Sequence, residues 1–191
     1  MIGTGFFANF RRCVLGLVAV CWLAWFGFGC FWQADDFSTT TLSAATLGRL
    51  GALSLPLQNR LDWLRIFTMW LVHVDLIHLL GNVSAMCWLA WCWPQKRSLI
   101  GPFLGGIVAA GGASWLAYHQ AATLCCGGSG VLLALSPSVF VGSVGWFRRL
   151  GTGVCVLSLW TGMAWSSADV ASHVGGFLSG CVWIVRRKAT A

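Results

Sequence analysis

Charge in this chain is confined to a few short segments, and between them run long stretches that carry none. Five of these are long: Cys13–Trp32, Leu76–Trp93, Leu99–Tyr118, Gly128–Phe147 and Leu150–Ala168. A shorter one, Val170–Val185, runs directly into Arg186, Arg187 and Lys188. Crossing a ~30 Å hydrocarbon core takes about 20 helical residues. The stretches therefore read as membrane spans over about 13–32, 76–93, 99–118, 128–147, 150–168 and 170–185, the last needing to start below the interface. With 58% hydrophobic and 9% charged residues, the chain also lacks the polar surface that a soluble domain requires. The expectation is an all-α membrane protein, a single domain over residues 1–191 built as a bundle of six transmembrane helices.

The positions of the charges orient that bundle. Nine of the twelve Lys and Arg stand at alternate boundaries: Arg11 and Arg12, Lys96 and Arg97, Arg148 and Arg149, and Arg186 to Lys188. By the positive-inside rule these boundaries, and with them both termini, are cytoplasmic. The five acids, Asp35, Asp36, Asp62, Asp75 and Asp169, fall at or near the opposite boundaries. The net charge of +7 is thus a topology signal. Nucleic acid is not expected as a partner, because the basic residues are scattered over separate loops and form no single face.

One connection is long, the outer loop over 33–65, and its Leu47, Leu50, Leu53 and Leu55 suggest short helices packed into the interface. Trp32, Trp63, Trp93 and Trp146 near span ends fit interfacial anchors. Most of the nine cysteines lie within spans, where the thiol acts as a small hydrophobe, and no CxxC pair is present. A disulfide among Cys30, Cys125 and Cys126 is left open. The first span follows basic residues but lacks a small-residue cleavage site, so it reads as an uncleaved anchor.

Ionisable and polar groups inside a bilayer are costly, and each one is a functional candidate. His78 and Asn82, four residues apart, stand about 40° from each other around a helix, one turn apart on one stripe. Such a pair of donors suits a developing oxyanion, and serves equally well as a packing hydrogen bond between helices. Gly127, Gly128 and Gly130 surround Ser129 at the start of the fourth span, where free helix N–H groups favour negative charge. Read alone, the same residues make a loop-to-helix joint with Ser129 as cap. His173 follows Asp169 by four residues and precedes Gly176 and Gly180, whose spacing lets another helix pack closely. Were that neighbour the fourth helix, His173 would come within reach of Ser129, a weak nucleophile until a base takes its proton.

Taken together these motifs resemble the rhomboid family. Arg65-Ile66-Phe67-Thr68 through His73, His78 and Asn82 looks like the rhomboid segment leading from the first outer loop into the second helix. Gly127-x-Ser129-Gly130 resembles the family's nucleophile motif, and His173-x-x-Gly176-x-x-x-Gly180 its sixth helix. The resemblance covers about Arg65 to Gly180. It implies an intramembrane serine endopeptidase with a Ser129–His173 dyad and no third acidic member. It also implies an oxyanion site made by the Ser129 N–H with His78 and Asn82. No metal or organic cofactor is expected; the implied partners are a transmembrane-helix substrate and the lipid bilayer, with no oligomeric state indicated.

On an ideal helix His73 points roughly 140° away from His78, which suggests a structural or water-retaining role. Asp169 is assigned to the outer loop, and His119 to an ordinary loop position. One departure stands out: many rhomboids carry an aromatic residue four positions after the serine, stacked on the catalytic His, and here that position is Leu133. Leu133 is the best argument for the alternative, a catalytically inactive rhomboid-like protein that binds or chaperones membrane helices. A small transporter is disfavoured because Pro137, the one central helix breaker, has no counterpart in a matching half. A membrane metalloprotease is disfavoured because no H-E-x-x-H occurs. Small size suggests the cytoplasmic membrane of a bacterium, with the chain integral and multi-pass.

Overall fold

The computed structural model describes residues 4–32, 41–94, 97–142, 145–165 and 169–189, and the side chains of most of them. In chain order the elements are α1 (Thr4–Trp32), α2 (Ala44–Leu50), β1 (Leu53–Leu55), α3 (Arg65–Thr68), α4 (Leu76–Cys92) and α5 (Ile100–Tyr118). They continue with β2 (Thr123–Cys125), α6 (Ser129–Gly142), α7 (Trp146–Trp165) and α8 (Val170–Ala189). Asp35, Asp36 and Lys96, which carry part of the topology argument, lie outside the described residues. So do the side chains of Arg11, Arg12, Trp32, Arg187 and Lys188.

Apolar residues sort onto two kinds of surface. On α1 the stripe Leu15, Ala19, Trp22 and Phe26 is buried, at the helical spacing that makes one face. Leu17, Val20, Leu23 and Phe28 on its other faces are exposed, as are Leu104 and Val108 of α5, Val154 and Leu157 of α7 and Leu178 and Val182 of α8. Water does not tolerate so extensive an apolar belt, whereas lipid does. The molecule is an all-α membrane protein with one two-stranded ribbon added. By length and hydropathy Cys13–Phe31 and Ile100–Tyr118 suffice to cross a membrane; Leu76–Cys92, Ser129–Gly142 and Val170–Arg186 are apolar but shorter.

Helix α6 is the axis of the bundle, with every residue from Ser129 to Val139 buried. Lipid gives helices no hydrophobic reason to associate, so close approach of small residues has to hold them. Gly176 and Gly180 of α8 lie against the backbone carbonyls of Gly130 and Ala134 on α6. Gly175 of α8 lies against Ala109 and Ala113 of α5, and Gly106 of α5 against Ala134 and Val131 of α6. The three helices form one tightly packed group, and α1 with α4 closes round its other side.

The stretch 128–147, expected as one span, is divided between two helices. The 14 residues of α6 rise about 21 Å, short of a ~30 Å hydrocarbon core. The helix stops at Gly142, which is pressed against Pro94 and Arg97, and α7 begins at Trp146 after Gly145 turns with a φ of +94°. Trp93 is buried, with its indole N–H bonded to the Arg97 carbonyl at 3.1 Å, and so is no interfacial anchor; Trp63 and Trp146 are exposed. None of the nine cysteines, all among the described residues, is in a disulfide.

The connection before α4 is ordered by its own polar contacts. Ser43 caps α2 by accepting from the Thr46 N–H at 3.2 Å, and Gly51 ends it in the left-handed conformation. The Arg65 guanidinium donates to the carbonyls of Gly48 (2.7 Å) and Ala52 (2.9 Å) and pairs with Asp62 (3.1 Å). Strand β1 pairs antiparallel with β2, Leu53 opposite Cys125 and Leu55 opposite Thr123, which ties this connection to the segment before Ser129.

Asp62 gives the connection a pH signature. The Gln58 N–H above all, then the Asn59 N–H and Arg65, hold its carboxyl below the ordinary 3.8, outweighing the opposing effect of burial. A depressed folded pKa stabilises above the unfolded value, and that contribution is lost as pH falls through the folded one. Wild type is expected to melt above Asp62→Asn near pH 6, with the gap closing below about pH 4. A gap constant over that range in thermal unfolding would mean that the ionisation of Asp62 contributes nothing.

Candidate active site

Ser129 opens α6, its position set by the backbone in front of it. The Gly127 N–H donates to the Met69 carbonyl at 3.0 Å, and the Leu132 N–H to the Gly128 carbonyl at 3.0 Å. Gly127 has a φ of +122°, a conformation that L side chains rarely adopt. A Cβ built there would also stand 2.8 Å from His78 Cε1 and 3.8 Å from Ser129 Oγ. The His78 ring thus lies directly over Gly127, beside the hydroxyl. Gly128 carries the Trp22 ring, and Gly130 faces the Ser172 hydroxyl and Ala110.

His173 sits one turn into α8, its N–H bonded to the Asp169 carbonyl at 3.3 Å. Its Nε2 lies 2.5 Å from Ser129 Oγ, and both residues are 5% exposed. The close approach of Gly176 and Gly180 to α6 is what makes this distance possible. The Asp169 carboxylate is turned away from the imidazole, toward Ser114, Cys125 and the Ser172 N–H. Asp169 is the last residue of the loop, as expected, and from there its side chain caps α8, which begins at Val170.

Ser129 and His173 open on a cavity of about 820 Å³. Its walls are α4, through Gly81, Asn82 and Ala85, and α7, through Val154, Cys155 and Ser158. At one end stand Asp75 and Asp169; at the other Trp88 closes the space, its ring on Gly151 and its indole N–H 3.3 Å from Thr152 Oγ1. Asn82 is 1% exposed, and its Nδ2 has no hydrogen-bond partner among the described residues. A buried amide donor that faces a cavity unpaired is available to a ligand oxygen.

The structure thus brings together Ser129, His173, His78 and Asn82, and leaves His119 apart, exposed at the end of α5. His73 departs from the ideal-helix expectation. It precedes α4, beyond an extended Val72, so the 140° rule does not apply, and its ring packs edge-on to His78 at 5.3 Å and to Trp22 at 5.1 Å. Leu133 is completely buried in the core. The aromatic neighbour of His173 comes from α7 instead, where Trp160 meets it edge-on at 6.1 Å. Nothing in the sequence set Trp160 apart from the twelve other tryptophans.

A family model described as Rhomboid domain matches residues 60–188, more than half of the chain. No curated protein and no solved structure gives a significant match.

Proposed function

Since the chain belongs to the rhomboid family, typically intramembrane serine proteases but with inactive members, we propose that it is an active endopeptidase using Ser129 and His173. The observation that carries this reading is the 2.5 Å approach of Ser129 Oγ to His173 Nε2, both lining a cavity. A dead relative has no need of that alignment. Six spans with both termini cytoplasmic complete the reading on the strength of the charge pattern, and the small size of the chain favours a bacterial cytoplasmic membrane.

The substrate is a transmembrane helix that enters sideways between α4 and α7, the two helices that wall the cavity. Its scissile stretch unwinds, because a helical peptide bond is shielded and already hydrogen-bonded, so small or helix-breaking residues there favour cleavage. His173 takes the Ser129 proton as Oγ bonds to the carbonyl carbon. The oxygen, now negative, is met by the Ser129 N–H at the α6 terminus, the His78 ring and Asn82 Nδ2. His173 returns the proton to the departing amine, leaving an acyl-enzyme. Water, deprotonated by the same base, then releases the acid and restores Ser129.

A fluorophosphonate probe reports an activated serine without knowledge of the substrate. Purified wild type in detergent is expected to label, and Ser129→Ala and His173→Ala to lose labelling entirely or by several orders of magnitude. Labelling that survives Ser129→Ala sinks the assignment. A well-folded wild type that does not label favours the helix-binding alternative instead.

A further inference from the structure

Building on the dyad reading, we propose that Asp169 is its positioning residue, one carboxylate that fastens both the serine-bearing and the histidine-bearing segments. To cap α8, one side-chain oxygen accepting one N–H is enough. Oδ1 of Asp169 does this for the Ser172 N–H at 3.0 Å. The second oxygen is engaged elsewhere: Oδ2 accepts from the hydroxyl of Ser114, one turn before the end of α5, whose Oγ is also 2.9 Å from the Ala110 carbonyl. The thiol of Cys125, in β2, lies close beside the same carboxylate. Three elements thus meet on one side chain.

Their spacing links that junction to the reacting atoms. Cys125 is four residues before Ser129, and Asp169 is four before His173. Ser172, whose N–H Asp169 holds, presses its hydroxyl and carbonyl against Gly130, the residue after the nucleophile. Both routes from the carboxylate end at the Ser129–His173 pair, and neither passes through His173 Nδ1. Asp169 acts on the geometry of the pair, with no contact to the imidazole of the kind a third triad member makes.

Displacement of a catalytic group by about 1 Å can cost on the order of 100-fold in rate. Asp169→Ala is therefore expected to slow fluorophosphonate labelling by about 100-fold, at a melting temperature close to wild type. Asp169→Asn keeps an acceptor for Ser172 and a polar group for Ser114, and is expected to recover most of that loss. Ser114→Ala should lose several-fold, and add little on top of Asp169→Ala, since both break one junction.

Labelling of Asp169→Ala at the wild-type rate overturns the proposal, as does an Asp169→Asn that is slowed as much as the alanine variant, because charge and not placement would then be at work. If Asp169→Ala does not fold, Ser114→Ala decides: slowed labelling in a protein that melts like wild type supports the proposal, and an unchanged rate overturns it. A wild type that never labels removes the reading of Ser129 and this inference with it. A wild type that labels beside an equally fast Asp169→Ala removes this inference alone.

Discussion

Gly176→Ala is expected to lose about 100-fold or more in labelling rate and to melt well below wild type. A single methyl at this position would meet the carbonyl of Gly130, and backbone on both sides cannot yield as a flexible side chain would. Overpacking of this kind costs typically 1–3 kcal/mol. The larger consequence is for chemistry. Helix α8 carries His173 one turn before Gly176, and α6 begins with Ser129 one residue before Gly130. Pushing the helices apart at that contact lengthens the 2.5 Å approach directly. Gly112 of α5 is the control, since a Cβ there meets nothing within 4 Å. Gly112→Ala should label within about twofold of wild type and melt no lower, as alanine is the better helix former. Equal rates for the two variants would show that the contact of α8 with α6 does not set the dyad.

That contact was legible in the sequence because small residues at a four-residue spacing have few uses in a membrane helix. The motifs around Ser129, His173, His78 and Asn82 were legible for a related reason: polar groups in apolar runs need an explanation, and these recur at helical spacing. What could not be read depends on contacts between distant segments. The apolar run 128–147 hides the stop at Gly142, because hydropathy does not register Pro94 and Arg97 closing over that glycine. The orientation of His73 does not follow helical spacing because Asp75, whose side chain accepts the His78 N–H at 2.7 Å, starts α4 after it. Leu133 drew attention as a missing aromatic, yet Trp160 approaches His173 from another helix, a substitution in space that no local pattern reveals. The contacts that Asp169 makes from its loop position are hidden because Ser114 and Cys125 are far off in the chain.

Asn82→Leu separates catalysis from packing, because the two roles predict opposite signs. The amide is buried, lines the cavity, and leaves Nδ2 unpaired among the described residues. An unsatisfied buried donor costs about 1–3 kcal/mol, so an apolar side chain of similar size should leave the melting temperature unchanged or raise it. If Nδ2 is held in reserve for the oxyanion, the same change should slow labelling by about 100- to 1,000-fold, the usual loss for one such donor. Were Asn82 a packing residue, leucine would lower stability and leave the rate of the folded fraction intact. His78 is a less clean probe, since its ring also packs on His73 and covers Gly127, so His78→Ala should lose both rate and stability. The pair should be less than additive in rate, because two donors to one oxygen act as a unit. An Asn82→Leu variant that is as stable as wild type and labels as fast would leave the Ser129 N–H and His78 as the whole of the oxyanion site.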